Sequence, residues 1–321
     1  MATVEEALKT LGDKSVRHIV SISGGKDSAA LAVHMNNKYP DLPVEYVFCD
    51  TGCELSETYE YIERLEALLD KKIAMANVFD VLEIPRKSRI TPFDYLLKEI
   101  AEISGVERLR YTSPHPEDMT DDVLYVMAHY DNICNAVHFP LQAGSSRILN
   151  RMNRTYTKNH FIERAHRIRE ILPSCGLTTD IIVGFPGETN SDFEETIDVM
   201  NKIKFDSAFT FKYSPRLGTK AHEYSDQISE MDKQERLEKV IKLQKEHTLI
   251  RNKEIIGNNE RVLVEKNSKR SINQWAGRTD SNKWVIFDKE NANIKDIVDV
   301  LITDAKGISL HGHLVKKKEA A

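Results

Sequence analysis

Cysteine is scarce in this 321-residue chain. Its four cysteines, Cys49, Cys53, Cys134 and Cys175, are too few and too scattered to build a disulfide framework. That excludes the small secreted scaffolds and favours a reducing compartment, the cytoplasm. Long apolar runs are missing as well, so no segment reads as a bilayer span. The opening MATVEEALKTL is acidic and has no apolar signal core. There is no internal repeat and no low-complexity tract. The net charge of -5 is too small to argue for or against a nucleic-acid partner. What is present is 40% hydrophobic content over a length that buries two or three domain cores. The charge is also unevenly spread. Residues 1–85 carry 8 Lys/Arg against 15 Asp/Glu, whereas residues 251–321 carry 14 against 10, which puts the basic face at the C-terminal end.

Periodicity divides the chain further. Strands are expected at 17–21 and 44–48 and helices at 27–37 and 57–69, the alternation of a parallel sheet with crossover helices. After position 86 the alternation resumes. Helices are expected at 91–103, 121–129, 158–172 and 192–203, and strands at 108–112, 136–139, 177–183 and 207–213. Four strand–helix units amount to about half of a full barrel. A charged helix over 231–254 reads as a connector. Beyond it, short strands at 261–265, 274–278, 284–287, 297–303 and 309–314 suggest a small closed β-barrel.

Two stretches near the start carry chemistry. Ser23-Gly24-Gly25-Lys26-Asp27-Ser28 runs from an apolar strand into a helix. Its glycines let backbone N–H groups turn inward, the helix start adds positive potential, and Lys26 neutralises phosphate oxygens. This loop resembles the SGGxDS signature of the ATP pyrophosphatase (PP-loop) family. Phe48-Cys49-Asp50-Thr51-Gly52-Cys53-Glu54-Leu55 resembles the phosphoadenosine-phosphosulfate reductase branch of that family. The likeness covers roughly residues 15–80 and implies a Rossmann-like domain that binds ATP through Ser23–Ser28. Asp50 is either a ligand contact at a strand tip or a turn residue.

The stretch from about 90 to 314 resembles the tRNA methylthiotransferases. The likeness rests on Arg110-Tyr111-Thr112-Ser113-Pro114-His115-Pro116, Pro140–Ser146, Arg151-Met152-Asn153-Arg154, Thr178–Glu188 and Phe211–Arg216. It implies a radical S-adenosylmethionine (SAM) barrel, a [4Fe–4S] cluster and tRNA as partner, with a methylthio group added to an adenosine beside the anticodon. The cofactor pocket implied is Ser113, Gln142, Ser145, Asp180, Ile182, Gly184, Glu188 and Arg216. Ile182 offers an apolar surface to adenine, Gly184 a close approach, and Gln142 and Ser145 hydrogen bonds. Asp180, inside an apolar strand, is either used by the site or paired with a barrel arginine. His115 and His138 either contact substrate or pack.

One part of the family pattern is missing. The cluster of such enzymes is held by cysteines spaced CxxxCxxC, and this sequence contains no such triad. Cys49 and Cys53 make only a CxxxC, inside the PP-loop resemblance. The last segment resembles the TRAM domain, which implies RNA binding through Lys269, Arg270, Arg278 and Lys283, with Trp275 and Trp284 nearby for stacking. The expected fold is therefore α/β: a Rossmann-like PP-loop segment (1–85), a partial radical SAM (β/α) barrel (86–250) and a small C-terminal β-barrel (251–316). Three functions are open at this level: a methylthiotransferase acting on tRNA, an ATP-dependent adenylating or thiolating enzyme acting on tRNA, and a non-catalytic RNA-binding protein.

Overall fold

The computed structural model describes residues 18–22, 26–40, 44–50, 56–77, 93–112 and 115–315. The chain divides into two compact units, Met1–Pro92 and Phe93–Ala321. In the first, β1 (His18–Ile22), β2 (Val44–Asp50) and β3 (Ile73–Asn77) form a parallel sheet with β2 in the centre. Helices α1 (Lys26–Lys38) and α2 (Ser56–Leu69) are the crossovers. Ile62, Leu65 and Leu69 recur at helical spacing and bury against Tyr46, Phe48 and Ile73. The Tyr46 hydroxyl donates to the Ala32 carbonyl at 3.3 Å, which ties α1 to the sheet. Strand β3 is absent from the sequence expectation because Ala-Met-Ala contains no β-branched residue to announce it.

The second unit opens with α3 (Phe93–Ala101), a 3-10 turn (Pro116–Asp118) and α4 (Asp121–His129). Three parallel strands follow, β4 (Ala136–His138), β5 (Gly176–Val183) and β6 (Ser207–Lys212), with β5 central. Helices α5 (Ser146–Arg151), α6 (Lys158–Ile171) and α7 (Asn190–Ile203) lie between them in sequence. Helix α7 begins with a capping box: Thr189 accepts from the Asp192 backbone, and the Asp192 carboxylate accepts from that of Thr189. The helix-packed side of the sheet is apolar. Phe139, Phe161 and Leu177 lie in one cluster, and Ile181 and Val183 pack with Phe193 and Met200 in another.

The expected strand at 108–112 does not form. That stretch makes a single bridge, Leu109 to Ile133, and its two arginines serve another purpose described below. The sheet therefore has three strands where the sequence suggested four. Two short helices, α5 and α8 (Lys220–Glu223), were not expected.

Helix α9 (Glu230–Lys253) is more than a connector. It packs along β6 and α7, burying Lys233, Arg236, Val240, Gln244, His247, Thr248 and Asn252. These positions recur every three or four residues, as a core-facing stripe must, but six of the seven are polar. Partners inside the fold make that burial tolerable. The Gln244 amide donates to the Phe205 carbonyl at 2.8 Å, and the Thr248 hydroxyl to that of Asp206 at 2.9 Å.

The small barrel is closed as expected. β7 (Asn259–Asn267), β8 (Gln274–Thr279), β9 (Trp284–Asp288), β11 (Ser309–Leu314) and β10 (Ile297–Lys306) pair in that order and return to β7. Val262, Val264, Val285, Phe287, Val300, Ile302 and Leu310 fill its interior.

Candidate active site and nucleic-acid interface

The two faces of β5 differ. Leu177, Thr179, Ile181 and Val183 are buried, whereas Thr178, Asp180 and Ile182 are half-buried on the opposite face. Register sets their neighbours: Thr178 lies beside His138 and Ser207, Asp180 beside Phe209, and Ile182 beside Phe211. Phe209 is 60% exposed and Phe211 51%, so this open side of the sheet presents two uncovered rings. The Asp180 carboxylate lies 3.2 Å from His138 Nε2, and His138 Nδ1 lies 2.8 Å from the Thr178 hydroxyl. Both ring nitrogens of His138 thus have an oxygen partner within hydrogen-bond distance. The partner of Asp180 is therefore a histidine and not the arginine considered from sequence. The His138 ring also meets Phe209 edge-on, with centroids 5.9 Å apart. A carboxylate, an imidazole, an aliphatic side chain and two open phenyl rings share one surface.

Other residues expected at the pocket have different surroundings. Gln142 takes a left-handed backbone (φ 65°). Its N–H donates to the Asp180 carbonyl and its carbonyl accepts from Ile182 N–H, both at 2.8 Å. It thus extends the sheet past the end of β4. The Ser145 hydroxyl is buried and donates to Asp192 at 2.6 Å. Gly184 (φ 74°) does allow a close approach, but the approaching group is Lys233, whose Cγ would lie 2.3 Å from an added Cβ. Glu188 is buried, accepting from Gly184 N–H and from Arg236, each at 2.7 Å. Burial pushes its carboxyl pKa up against the pull of both donors. The polar groups of Ser145 and Glu188 are thus committed to neighbouring elements, because a buried polar atom must find a partner. Arg216 is exposed in the segment after β6. Ser113 lies outside the described residues.

The small barrel is keyed onto the rest of the unit by the turn between β8 and β9. Arg108 donates to the carbonyl of Thr279 at 2.9 Å and pairs with the Asp280 carboxylate, also at 2.9 Å. Arg110 donates to the Thr279 and Asp280 carbonyls at 3.2 and 3.1 Å. The Lys283 ammonium is buried in an ion pair with Asp206 and is 3.1 Å from the Asn252 side-chain oxygen. Lys283 was expected to face RNA; its charge instead neutralises a carboxylate that Leu177 N–H also contacts, at 2.9 Å. Arg278 lies 4.4 Å from the Trp284 ring centre, as does Lys266. Trp275 is a core residue, its indole N–H donating to the Ala292 carbonyl at 2.9 Å. Lys269 and Arg270 are exposed.

A family model described as the radical SAM superfamily matches residues 2–200, more than half of the chain. The chain belongs to the radical SAM superfamily. A second model, the TRAM domain, matches residues 253–315, the closed barrel. Relatives include three proteins named tRNA-2-methylthio-N(6)-dimethylallyladenosine synthase. That of Carboxydothermus hydrogenoformans is 45% identical over 223 residues, 70% of this chain and 51% of its own length. That of Thermoanaerobacter sp. is 43% identical over 224 residues, covering 70% and 48%. That of Clostridium tetani is 43% identical over 223 residues, covering 70% and 49%. The chain spans about half the length of these curated relatives.

Membership of the radical SAM superfamily implies SAM and an iron–sulfur cluster as cofactors. The described residues do not fit the cluster. No group of three or more His, Cys, Asp or Glu side chains among them converges on one point. Cys134 and Cys175 are both buried, and burial pushes the Cys175 thiol up to about 12, away from the thiolate a metal needs. Cys49 stands in β2 with its side chain outside the described set, and Cys53 lies outside it altogether. A nucleoside fits better, because the open face of this sheet supplies an acceptor carboxylate beside apolar and aromatic surface.

In the first unit, Ser23, Gly24 and Gly25 lie outside the described residues. Lys26, Asp27 and Ser28 open α1, and Asp50 ends β2 opposite Asn77; their side chains are likewise outside. No helix among the described residues is long and apolar enough to cross a membrane. The contributors that sequence reasoning missed are Phe209 and Phe211. Their period-two spacing was visible, but which face of β6 would lie open was not.

Proposed function

We propose that this radical SAM chain is a tRNA-modifying protein of the methylthiotransferase lineage whose described part performs the binding steps of that reaction. The open face of the three-stranded sheet holds the nucleoside of SAM, and the TRAM barrel holds the tRNA. The observation that carries this reading is the juxtaposition of Asp180 and His138 with Phe209 and Phe211 on an uncovered sheet face. Asp180 accepts hydrogen bonds from ribose hydroxyls or an exocyclic amine. Ile182 and the phenyl rings pack against the purine and keep water from it. His138 holds the Asp180 carboxylate in place. A bound SAM would be held by these residues through its nucleoside, and radical chemistry would be supplied by the cofactors of the superfamily. The cysteines described here offer no seat for the iron–sulfur cluster, so no step is assigned to it. On the TRAM barrel, Lys269 and Arg270 are exposed for phosphate contacts and Arg278 lies against Trp284.

Binding of S-adenosylhomocysteine and of an anticodon stem-loop RNA to the full chain tests this reading. Asp180→Asn is expected to weaken the nucleoside roughly tenfold or more, the scale of one lost hydrogen bond to a charged group, and to leave RNA binding unchanged. Lys269→Ala with Arg270→Ala is expected to do the reverse and to flatten the salt dependence. Equal binding by wild type and Asp180→Asn would remove the nucleoside site.

A second reading has its own support. β1 leads into α1 across the Ser23–Gly25 segment, and Asp50 stands at the end of the central strand, the arrangement of an ATP site in an open parallel sheet. On this reading the first unit is a PP-loop segment that adenylates a substrate and releases pyrophosphate. Pyrophosphate release from ATP in the presence of tRNA, abolished by Lys26→Ala, is the expected result; no release would end it.

A further inference from the structure

Helix α9 buries two cations, Lys233 and Arg236, one helical turn apart and 2% and 8% exposed. Stability alone does not favour such residues. Apolar side chains of similar size usually hold a helix against its neighbours as well or better, because they carry no desolvation cost. Both cations bear on one short segment, Gly184–Glu188, which leads the chain from β5 towards α7.

Arg236 donates to the Glu188 carboxylate at 2.7 Å, to the Glu188 carbonyl at 3.0 Å and to the Asn190 side-chain oxygen at 2.9 Å. The same carboxylate oxygen, Oε2, accepts from Gly184 N–H at 2.7 Å, so the two ends of the segment meet at one atom that the guanidinium holds. Lys233 secures the near end. Its stem lies against Gly184 in the space a Cβ would fill, and its ammonium is 2.9 Å from Glu230 and 5.6 Å from the centre of the Tyr213 ring. Tyr213 follows β6 directly, and its N–H donates to the Val183 carbonyl at 2.9 Å. The ends of β5 and β6 are therefore set from α9. Gly184 comes two residues after Ile182 and four after Asp180, the two β5 residues of the open face.

We propose that Lys233 and Arg236 are positioning residues for the nucleoside site. They touch no reactant; they hold the Gly184–Glu188 segment so that Asp180 and Ile182 meet the ligand in one geometry. The proposal rests on the nucleoside reading of the open face. It also divides the buried polar stripe of α9 in two. Lys233 and Arg236 serve the site, whereas Gln244 and Thr248, further along, answer the Phe205 and Asp206 carbonyls and only secure the helix.

The test compares the two parts of that stripe in the full chain, below its melting temperature, with S-adenosylhomocysteine and an anticodon stem-loop RNA as probes. Lys233→Ala and Arg236→Gln are each expected to weaken S-adenosylhomocysteine about tenfold, as a small misplacement of binding groups does, and to leave RNA binding unchanged. Hydrogen exchange at Gly184 N–H is expected to quicken in Arg236→Gln, because its acceptor Glu188 is released. Gln244→Ala is expected to lower the melting temperature and bind S-adenosylhomocysteine as wild type does. Where Lys233→Ala or Arg236→Gln does not fold, Lys233→Met and Arg236→Lys carry the same comparison. If affinity simply follows melting temperature across all variants, Gln244→Ala included, the two cations are structural and the proposal falls. Unchanged affinity in the folded Lys233 and Arg236 variants also overturns it and leaves the nucleoside site standing. Wild type that does not bind S-adenosylhomocysteine removes that site and the proposal together.

Discussion

The closed barrel at the C-terminal end and the three-stranded sheet beside it solve the same problem in opposite ways. Both are β-sheets with one apolar side. In the barrel, β7 pairs with β10 and the sheet returns on itself, so its strands have partners on both sides and Val262, Val285, Val300 and Leu310 are fully enclosed. In the sheet, β4 and β6 are edges among the described residues, one side is packed by helices, and the other leaves Phe209 and Phe211 in the open. Closure spends every inward side chain on stability. The open sheet keeps one face free, and the polar pair His138–Asp180 sits on that face. The two are joined by a short polar key, the Thr279–Lys283 turn.

The key is where the comparison is most easily broken. Asp206 is buried with Lys283, and the side chains of Arg251 and Arg169 approach it at 3.5 and 3.8 Å. Asp206→Ala strands those cations in the interior. Breaking a buried pair in this way costs about 3–5 kcal/mol, and urea unfolding at neutral pH measures it. Adding Lys283→Ala to Asp206→Ala is expected to recover part of the loss. If the barrel and the sheet instead unfold in two separate transitions, unaffected by either change, they are not one unit.

Gly176, at the start of β5, carries the next largest effect. An added Cβ would lie 2.0 Å from the Ser281 carbonyl oxygen, a backbone atom that moves only if the whole turn moves. Gly176→Ala is expected to cost about 1–3 kcal/mol, as overpacking does, and to loosen the turn in hydrogen exchange while the barrel core stays protected.

The capping carboxylate of α7 gives the sheet side an acid limb. Burial alone would raise the Asp192 pKa, but hydrogen bonds from Arg147, Ser145 and Thr189 outweigh it and hold the carboxyl well below the usual carboxylate range. The folded state then keeps the charge while the unfolded chain takes up protons first. The stabilisation is complete above the unfolded value of about 4 and drains away as pH falls through the folded one. Denaturant midpoints between pH 7 and pH 3 are expected to fall more steeply for wild type than for Asp192→Asn.

The smallest stability effect belongs to the open face. Phe209→Ser with Phe211→Ser is expected to change stability by no more than about 0.5 kcal/mol, as exposed substitutions do. The same pair is expected to weaken nucleoside binding by about 1–3 kcal/mol, the scale of lost ring stacking. A large loss of stability would show that these rings are covered, and the contrast with the closed barrel would disappear.

Much of the secondary structure was legible from residue order. The first two strands and both helices of the first unit, the three sheet strands of the second and the five strands of the barrel fall within a few residues of their expected places. What failed has identifiable causes. The 108–112 stretch has strand-like residues, yet Arg108 and Arg110 reach across to the carbonyls of the β8–β9 turn. The buried stripe of α9 was invisible because Lys233, Arg236, Gln244 and His247 read as surface residues. They are interior only because Glu188, Asn201, Phe205 and other partners lie opposite them. At the site, Asp180 and Ile182 share the open face of β5, whereas the polar groups of Ser145 and Glu188 are hydrogen-bonded to Asp192 and Arg236.

The amino-acid order by itself determined the superfamily, the alternation of strands and helices, the closed C-terminal barrel and the missing cysteine triad, because periodicity and motif spacing are local properties of the chain. Only the tertiary structure decided which polar groups remain free. Lys283, Ser145 and Glu188 lost their freedom to partners 47 to 77 positions away. Pairing across such separations depends on which elements meet in space, and no window of sequence contains that information.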